Sequence, residues 1–225
     1  MEIITTPLDG LLIIKPAVFA DDRGYFFESY NIDKFMNAGL DLKFMQDNES
    51  KSKKGVLRGL HFQAPPFAQG KLVRVMKGAV LDVAVDIRKG SSTYGKWESV
   101  VLTEQNKLMY WVPAGFAHGF VTLEDDTVFF YKCTNVYNKN AEGSIIWNDP
   151  DLNIDWGISR PLVSGKDELA PRMRDSVSPF SAGGQADWRT SGQKEGPNVH
   201  PLTRPPVHLS ARPLVRLSAR PPVHQ

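Results

Sequence analysis

The sequence contains a single cysteine, Cys133, which excludes an intramolecular disulfide and a cysteine-rich metal site. It also lacks any apolar run of the roughly eighteen or more residues that a membrane-spanning helix needs. The first ten residues, MEIITTPLDG, have no apolar segment of the kind found in signal peptides. These absences predict a cytoplasmic protein without a membrane partner. Cys133, inside the apolar run VFFYKCTNVY, is expected to be a buried, inert thiol.

An excess of charge of either sign is also missing, since 27 Lys and Arg residues face 25 Asp and Glu residues. From residue 181 onward the basic residues outnumber the acidic ones, so residues 1–180 carry a small negative net charge. A folded part this close to neutral gives no electrostatic basis for nucleic-acid binding. We therefore expect no nucleic-acid partner.

The end of the chain differs in composition from the rest. The segments RPPVHLSA, RPLVRLSA and RPPVHQ repeat with a period of eight from residue 204 onward, and seven of the sixteen prolines follow residue 180. Proline lacks the backbone donor that helices and sheets require, so residues 181–225 are predicted to form a disordered, low-complexity tail. The folded domain would then comprise residues 1–180. A proline-rich ligand for a partner domain and a translated non-coding or recombined segment both stay open as explanations of the tail.

Before residue 180 the hydrophobic pattern is that of short β-strands. LDVAVDI (81–87) alternates apolar residues with mostly polar or small ones, and KLVRVM, WESVVL, LMYWVP, GFVTL and TVFFYKC follow a similar pattern between turn residues. One short helix is predicted in NIDKFMNAGL, with Gly39 disrupting its end. Its apolar face would comprise Ile32, Phe35, Met36 and Leu40. Many short antiparallel strands in one domain predict an all-β sandwich, jelly roll or barrel.

Residues 1–180 contain two histidines, and both fit sequence motifs of the cupin jelly rolls. The first motif opens with a glycine followed after five residues by a histidine, as Gly55 and His61 are here. The second motif combines a proline, a glycine and a histidine, which PAGFAH (113–118) has at the required spacing. This resemblance to the cupin superfamily implies a jelly-roll or β-barrel domain with a few short helices.

Two of the four metal ligands of that superfamily are replaced in this chain. Gln63 stands where the first motif has a second histidine, and Lys71 stands where it has a glutamate. Divalent metals prefer imidazole and carboxylate ligands, whereas an ammonium group offers no lone pair and repels a cation. We therefore predict a site with no metal and no cofactor, in which His61 is free for other chemistry. A metal-dependent cupin enzyme and a non-catalytic binding protein remain as alternatives.

A metal-free pocket with a histidine, a lysine and a tyrosine can support enolate chemistry. Imidazole titrates near neutral pH, which suits His61 to removing a proton next to a ketone. Lys71 would stabilise the negative charge that develops on the carbonyl oxygen. Tyr131, in FFYKC, is a candidate for returning a proton to the opposite face. Such a set would invert a stereocentre without a cofactor.

Seven motifs, in unbroken order over about residues 1–175, resemble the dTDP-4-dehydrorhamnose 3,5-epimerases. They are DDRGYFFESY, QDNESKSKKGVLRGLHFQ, AQGKLVRV, LDVAVDIRKGSSTYGKW, WVPAGFAHGF, EGSIIWNDPDLNIDW and SGKDELAP. The resemblance implies epimerisation at C3 and C5 of dTDP-4-dehydro-6-deoxy-D-glucose, giving dTDP-4-dehydro-L-rhamnose. A 3-epimerase and a ketoisomerase acting on the same nucleotide sugar remain alternatives, because their bases and acids overlap with this set.

The same resemblance implies a role for each matching residue. His61 would be the general base, Asp167 the carboxylate that orients it, and Tyr131 the proton donor. The sugar ketone would lie beside Lys71, and Tyr137 would stack on thymine. The remaining positions that hold the nucleotide sugar would be Arg23, Glu28, Gln46, Asp47, Asn48, Arg58, His118, Glu142 and Lys166. The family also implies a homodimer whose N-terminal segment reaches the neighbour's site, so that Arg23 and Glu28 would act across the interface.

The spacing of Arg58 and His61 poses a geometric question. Residues an odd number of positions apart project from opposite faces of a regular strand, yet both are expected at the site. Gly59, which lies between them, would permit a bulge that re-aims one side chain. Alternatively, Arg58 reaches the diphosphate from the rim of the barrel.

Overall fold

The structure, a computed structural model, describes residues 1–183, which are built almost entirely of β-strands. The strands are β1 (Glu2–Thr5), β2 (Leu12–Lys15), β3 (Phe19–Asp21), β4 (Gly24–Phe26), β5 (Gln46–Ser52), β6 (Leu57–Gln63), β7 (Lys71–Lys77), β8 (Ala79–Asp86), β9 (Trp97–Thr103), β10 (Met109–Val112), β11 (Phe116–Thr122), β12 (Thr127–Cys133) and β13 (Glu142–Ser144). Two short helices accompany them, α1 (Ile32–Asn37) and α2 (Gly165–Glu168), with single 3-10 turns at Lys139–Ala141 and Met173–Asp175.

The strands form two main antiparallel sheets and one small hairpin. The larger sheet has the order β1-β2-β10-β7-β12-β5, and the smaller sheet has the order β13-β6-β11-β8-β9. Strands β3 and β4 pair only with each other. The prediction of an all-β jelly roll is confirmed, and each of the six apolar runs singled out in the sequence matches a strand to within one residue at each overhanging end.

The main core lies between the two sheets. Val73 and Val75 of β7 and Phe129 of β12 reach it from the larger sheet, while Val80 of β8 and Phe120 of β11 reach it from the smaller one. All five side chains are at most 5% exposed. Lys71 and Tyr131 follow the inward alternation of β7 and β12, so the strand period carries both polar groups to the inner face, as the sequence predicted.

Helix α1 covers part of the outer face of the larger sheet. Phe35 and Leu40 are buried there, whereas Ile32 and Met36 stay 43% and 48% exposed, so the predicted four-residue apolar face is only half correct. The helix begins with an Asn31 side chain that accepts a hydrogen bond from the Lys34 N–H. Past its end, Gly39 has a φ of +82°, which confirms its role as a helix terminator.

A bulge interrupts β6 between Arg58 and His61, the two residues whose odd spacing required an explanation. His61 pairs with His118 of β11, and Arg58 pairs with Phe120, so three steps on β6 match two on β11. Gly59 takes a φ of +140°, and a Cβ there would lie 2.5 Å from the Cα of Gly119. The extra residue brings Arg58 and His61 to the same face, in agreement with the bulge interpretation.

The C-terminal part of the described chain packs on the outer face of the smaller sheet. Ile145, Trp156 and Met173 are buried against that face. Ser181 and Ala182 still pair with Lys89, one and two residues past the expected domain end. The predicted tail falls, from residue 184 onward, outside the described residues.

Cys133 is a buried free thiol, as predicted. Within residues 1–183 no helix is both long and apolar enough to cross a bilayer. The cytoplasmic location and the absence of a nucleic-acid partner stay predictions.

Candidate active site

A cavity of about 500 Å³ opens between the two sheets. Apolar residues, among them Phe120 and Phe129, form one part of its lining. The polar part of the lining consists of Ser50, Arg58, His61, Lys71, His118, Tyr131, Ser164, Lys166 and Asp167. The structure thus brings all four predicted catalytic residues to one cavity, together with Arg58, His118 and Lys166 from the predicted binding set.

His61 and Asp167 form a hydrogen-bonded pair in this cavity. The Nε2 atom of His61 lies 2.6 Å from Oδ1 of Asp167, whose side chain is 4% exposed. Asp167 sits in α2, where its backbone N–H donates to the Ser164 side chain. Burial raises the pKa of the Asp167 carboxyl, but its interactions with His61, the Ser164 side chain and the Gly59 N–H outweigh burial and hold that pKa below its usual range.

A second imidazole–carboxylate pair lies beside the first. His118, the direct β-ladder partner of His61, places Nε2 2.8 Å from Oδ1 of Asp82. Asp82 belongs to β8 and is fully buried. Burial raises the pKa of its carboxyl, although His118 and Lys71 act in the opposite direction.

Lys71 projects from β7 into the same cavity. Burial lowers the pKa of its ammonium group, and the acidic groups of Cys133, Asp82 and Glu142 oppose that shift. Lys71 shares this cavity with both imidazoles, so a ligand bound there can contact its amino group.

The donor set does not fit the divalent metal of other cupins. The Gln63 side chain donates to the carbonyl oxygens of Phe67 and Val136 and accepts from the Asn138 N–H, so loop contacts occupy it. Lys71 faces the two imidazoles in place of a carboxylate. Among residues 1–183 no group of three or more His, Cys, Asp or Glu side chains is arranged to hold a metal ion. The absence of a cofactor stays a prediction.

Tyr131 reaches the cavity from β12, on the opposite sheet to His61. Burial raises the pKa of its phenol, with a further increase from Cys133 and a decrease from Arg58. The phenol is therefore protonated near neutral pH and can donate a proton. Arg58 lies at the mouth, where its guanidinium contacts the Ser52 hydroxyl at 3.3 Å.

Five of the predicted binding residues make a connected group of polar side chains. Gln46 donates to Asn48 of the same strand and accepts from the Tyr137 N–H. The Tyr137 hydroxyl lies 3.1 Å from Glu142, which also forms an ion pair with Lys166. Because Lys166 lines the cavity, this polar group adjoins it. The Tyr137 ring is 53% exposed and open to stacking.

Three predicted binding residues are held elsewhere in this chain. Asp47 points to the other face of β5, where it pairs with Lys132 at 2.8 Å. Arg23 is bound to Asp21 in the β3–β4 turn, and Glu28 to Lys34 of α1. None of the three lines the cavity of its own chain, so their part in ligand binding stays a prediction.

Sequence reasoning missed three polar residues at the site: Ser50, Asp82 and Ser164. Asp82 had a detectable signal, because it is a charged residue in the middle of the inward register of a strand whose other residues, apart from Asp86 at its end, are apolar. Ser50 and Ser164 are small polar residues in polar segments, so nothing in the sequence distinguishes them from surface serines. The Ser50 hydroxyl is buried and has no hydrogen-bond partner among the described residues.

Comparison with known proteins connects this geometry to a family. A family model described as dTDP-4-dehydrorhamnose 3,5-epimerase matches residues 5–175. The dTDP-4-dehydrorhamnose 3,5-epimerase of Shigella flexneri is 53% identical over 177 residues, which cover 78% of this chain and 98% of that protein.

Solved structures agree with this match. The crystal structure of the same enzyme from Elizabethkingia anophelis is 52% identical with a TM-score of 0.75, over 78% of this chain and 97% of that one. A Legionella pneumophila dTDP-6-deoxy-D-glucose-3,5-epimerase, solved with dTDP-4-keto-L-rhamnose, is 47% identical with a TM-score of 0.74 and covers 77% and 93% of the two chains. The chain described here belongs to the dTDP-4-dehydrorhamnose 3,5-epimerase family.

Proposed function

We propose that this chain epimerises C3 and C5 of dTDP-4-dehydro-6-deoxy-D-glucose to give dTDP-4-dehydro-L-rhamnose, through enolate intermediates formed by its own side chains. The proposal rests on one observation: four side chains line the same cavity between the sheets, namely His61, Asp167, Lys71 and Tyr131. Together they supply a base, an orienting carboxylate, a cation for the oxyanion and an acid.

Proton removal is assigned to His61. When its Nε2–H donates to Asp167, the Nδ1 lone pair is left unprotonated and can take a proton from carbon. The imidazolium that forms is stabilised by the carboxylate on its other side. Both carbons flank the C4 ketone, so each is acidified by the same carbonyl group.

Charge stabilisation is assigned to Lys71 and His118. Loss of a proton from C3 or from C5 places negative charge on the same C4 oxygen, so one fixed cation serves both inversions. Removal of a comparable preorganised donor slows acyl-transfer enzymes by roughly 10²–10³-fold, which sets the scale expected for Lys71.

Inversion requires that the returning proton arrive on the opposite face. Tyr131 lies on β12 of the larger sheet, whereas His61 lies on β6 of the smaller one, so the two groups approach from opposite walls. The protonated Tyr131 donates to the enolate carbon and is reprotonated from solvent, while the His61 imidazolium releases its proton to solvent, so the cycle balances. This arrangement supports an acid and a base that act on different faces of the sugar.

The nucleotide is assigned to the polar group that adjoins the cavity. Arg58 and Lys166 provide positive charge for the diphosphate, and the exposed Tyr137 ring provides a surface for the thymine base. Gln46 and Asn48, held to each other and to the Tyr137 backbone, supply amide groups on the same side.

The active form is proposed to be a homodimer. Phe19, Tyr25 and Phe26 of the β3–β4 hairpin are 58–67% exposed, which is an unusual concentration of large apolar side chains on a small hairpin. Arg23 lies in the turn of that hairpin. Insertion of the hairpin against a second copy would bury these rings and carry Arg23 and Glu28 toward the partner's cavity.

Deuterium incorporation tests the activity. Protein incubated with the substrate in D2O should give product labelled at both C3 and C5, detected by NMR and mass spectrometry. Label at C3 alone would identify a 3-epimerase, and movement of the ketone would identify a ketoisomerase. Activity that is lost to a chelator and restored by a divalent metal would overturn the cofactor-free mechanism, and binding without any exchange would indicate a non-catalytic protein.

A further inference from the structure

Asp82 is a buried carboxylate that the mechanism above does not use. Its side chain is fully buried, and one oxygen contacts His118 at 2.8 Å. Its other oxygen, Oδ2, has no hydrogen-bond partner among the described residues. Burying a carboxylate costs several kcal/mol unless it is compensated by charge, so this group needs a cationic partner.

Lys71, which lines the same cavity as His118, is the cation that can compensate it. The two side chains belong to facing sheets, β8 and β7, and each acts on the other electrostatically. Lys71 in turn requires a nearby anion to stay charged, because an ammonium group buried without one loses its proton. Asp82 is therefore linked to both groups assigned to the C4 oxygen, by a hydrogen bond to His118 and by charge to Lys71.

We propose that Asp82 is a positioning residue for the epimerisation, which keeps Lys71 charged and fixes the orientation of His118 at the C4 oxygen. The cavity then contains two separate units. The His61–Asp167 unit moves protons, and the Asp82–Lys71–His118 unit binds the oxyanion. The inference rests on the proposed function and adds a residue and a division of labour to it.

Other titratable groups surround this unit and have to be considered in any pH dependence. Glu142 and Cys133 act electrostatically on Lys71, and Asp82 and Glu98 both act on Tyr110. The Tyr110 hydroxyl is buried and also has no hydrogen-bond partner within residues 1–183. Glu142 already forms an ion pair with Lys166. Of the two carboxylates that act on Lys71, Asp82 is therefore the one that is not paired with another lysine.

The substitution Asp82→Asn separates charge from shape, because the side chains are isosteric. We expect kcat to fall on the order of 10²-fold, the scale of a lost oxyanion stabiliser, with KM little changed. Without its anion, Lys71 loses its proton more easily, so the high-pH limit of kcat should move down by at least about one pH unit. A purely structural role would leave that limit in place.

Glu98→Gln serves as the matched control. Glu98 is a partly buried carboxylate on the neighbouring strand β9, and it does not line the cavity. This variant should keep the wild-type kcat and the wild-type pH limit. An Asp82→Asn protein with wild-type kcat and an unmoved limit would overturn the proposal.

A double-mutant cycle covers the case in which Asp82→Asn does not fold, as judged by thermal melting and dTDP binding. The cycle compares K71M with K71M/D82N, which removes both buried charges together. Because K71M already removes the charge on which Asp82 acts, adding D82N should lower kcat only through the lost contact with His118, by about tenfold or less. A further fall on the order of 10²-fold, as large as that expected for D82N in the wild-type background, would contradict the coupling through Lys71.

The design keeps the two proposals distinguishable. A wild-type protein that exchanges no deuterium would refute the proposed function itself. A wild-type protein that exchanges normally while D82N behaves like E98Q would refute only the role of Asp82.

Discussion

At the scale of single residues, Asp167 orients His61 in the proposed mechanism and should also make the free energy of unfolding depend on pH in the acidic range. Its folded-state pKa is depressed, so its stabilising effect is present above the unfolded value of about 3.9 and is lost as pH falls through the folded value. We expect D167N to be less stable than wild type by about 2 kcal/mol at pH 7, the value of a buried charged hydrogen bond. Urea unfolding at several pH values should show this difference shrinking below pH ~4. A difference independent of pH would contradict the assignment.

The two imidazole–carboxylate pairs show how far single residues can be predicted from sequence. His61 and His118 were accessible because their spacing to glycine and proline residues follows a motif. The partner Asp167 lies 106 positions from His61 in a short polar segment, so it came only from the family resemblance. Asp82 could have been noticed as a charged residue in the middle of a largely apolar strand. Its contact with His118, however, depends on the pairing of β8 with β11.

At the scale of elements, the β6 bulge positions the base. Gly59→Ala would place a Cβ 2.5 Å from the Gly119 Cα at a φ of +140°. We expect a loss of about 3 kcal/mol or more from strain and overpacking together, with a large loss of kcat, because His61 and Arg58 would shift. Thermal melting and steady-state kinetics measure both effects.

Gly157→Ala is the matched control for that substitution. Gly157 also has a positive φ, +67°, but an added Cβ would meet nothing within 4 Å. It should cost about 1 kcal/mol and leave kcat unchanged. Equal effects of the two substitutions would mean that the bulge has no special part in placing the site.

Strand β5 illustrates why some elements escaped prediction. Its inward residues are Gln46, Asn48, Ser50 and Ser52, which replace the apolar side chains that normally mark a strand. The strand is polar on the inside because its inner face borders the cavity and the polar group beside it. Because the inward positions of β5 are polar, the strand lacks the alternation of apolar and polar residues by which a strand is recognised in a sequence.

At the scale of the whole molecule, the hairpin predicts an oligomeric state. Phe26→Asp places a charge among the exposed rings of β3 and β4, and we expect it to convert a dimer to a monomer with reduced kcat/KM. Light scattering coupled to gel filtration measures the mass. Val177→Asp, at an isolated residue that is 81% exposed, should leave the dimer intact. A monomeric wild type with full activity would contradict the dimer proposal.

The fold as a whole was more predictable than its contacts. Six apolar runs with turn residues between them were enough to predict an all-β sandwich, jelly roll or barrel, because period-2 alternation is a local property. The choice of a jelly roll came from the resemblance of the two histidine motifs to the cupins. The half-exposed face of α1 and the pairing partners of each strand depend on contacts distant in sequence. Those contacts decide which polar groups meet in the cavity.

The central claim is that base and acid act from opposite walls of one cavity, and a paired substitution tests it most directly. In D2O, His61→Asn should abolish deuterium exchange at both C3 and C5. Tyr131→Phe should retain exchange but fail to deliver the inverted product. If both variants exchange and invert like wild type, the assignment of His61 and Tyr131 is wrong.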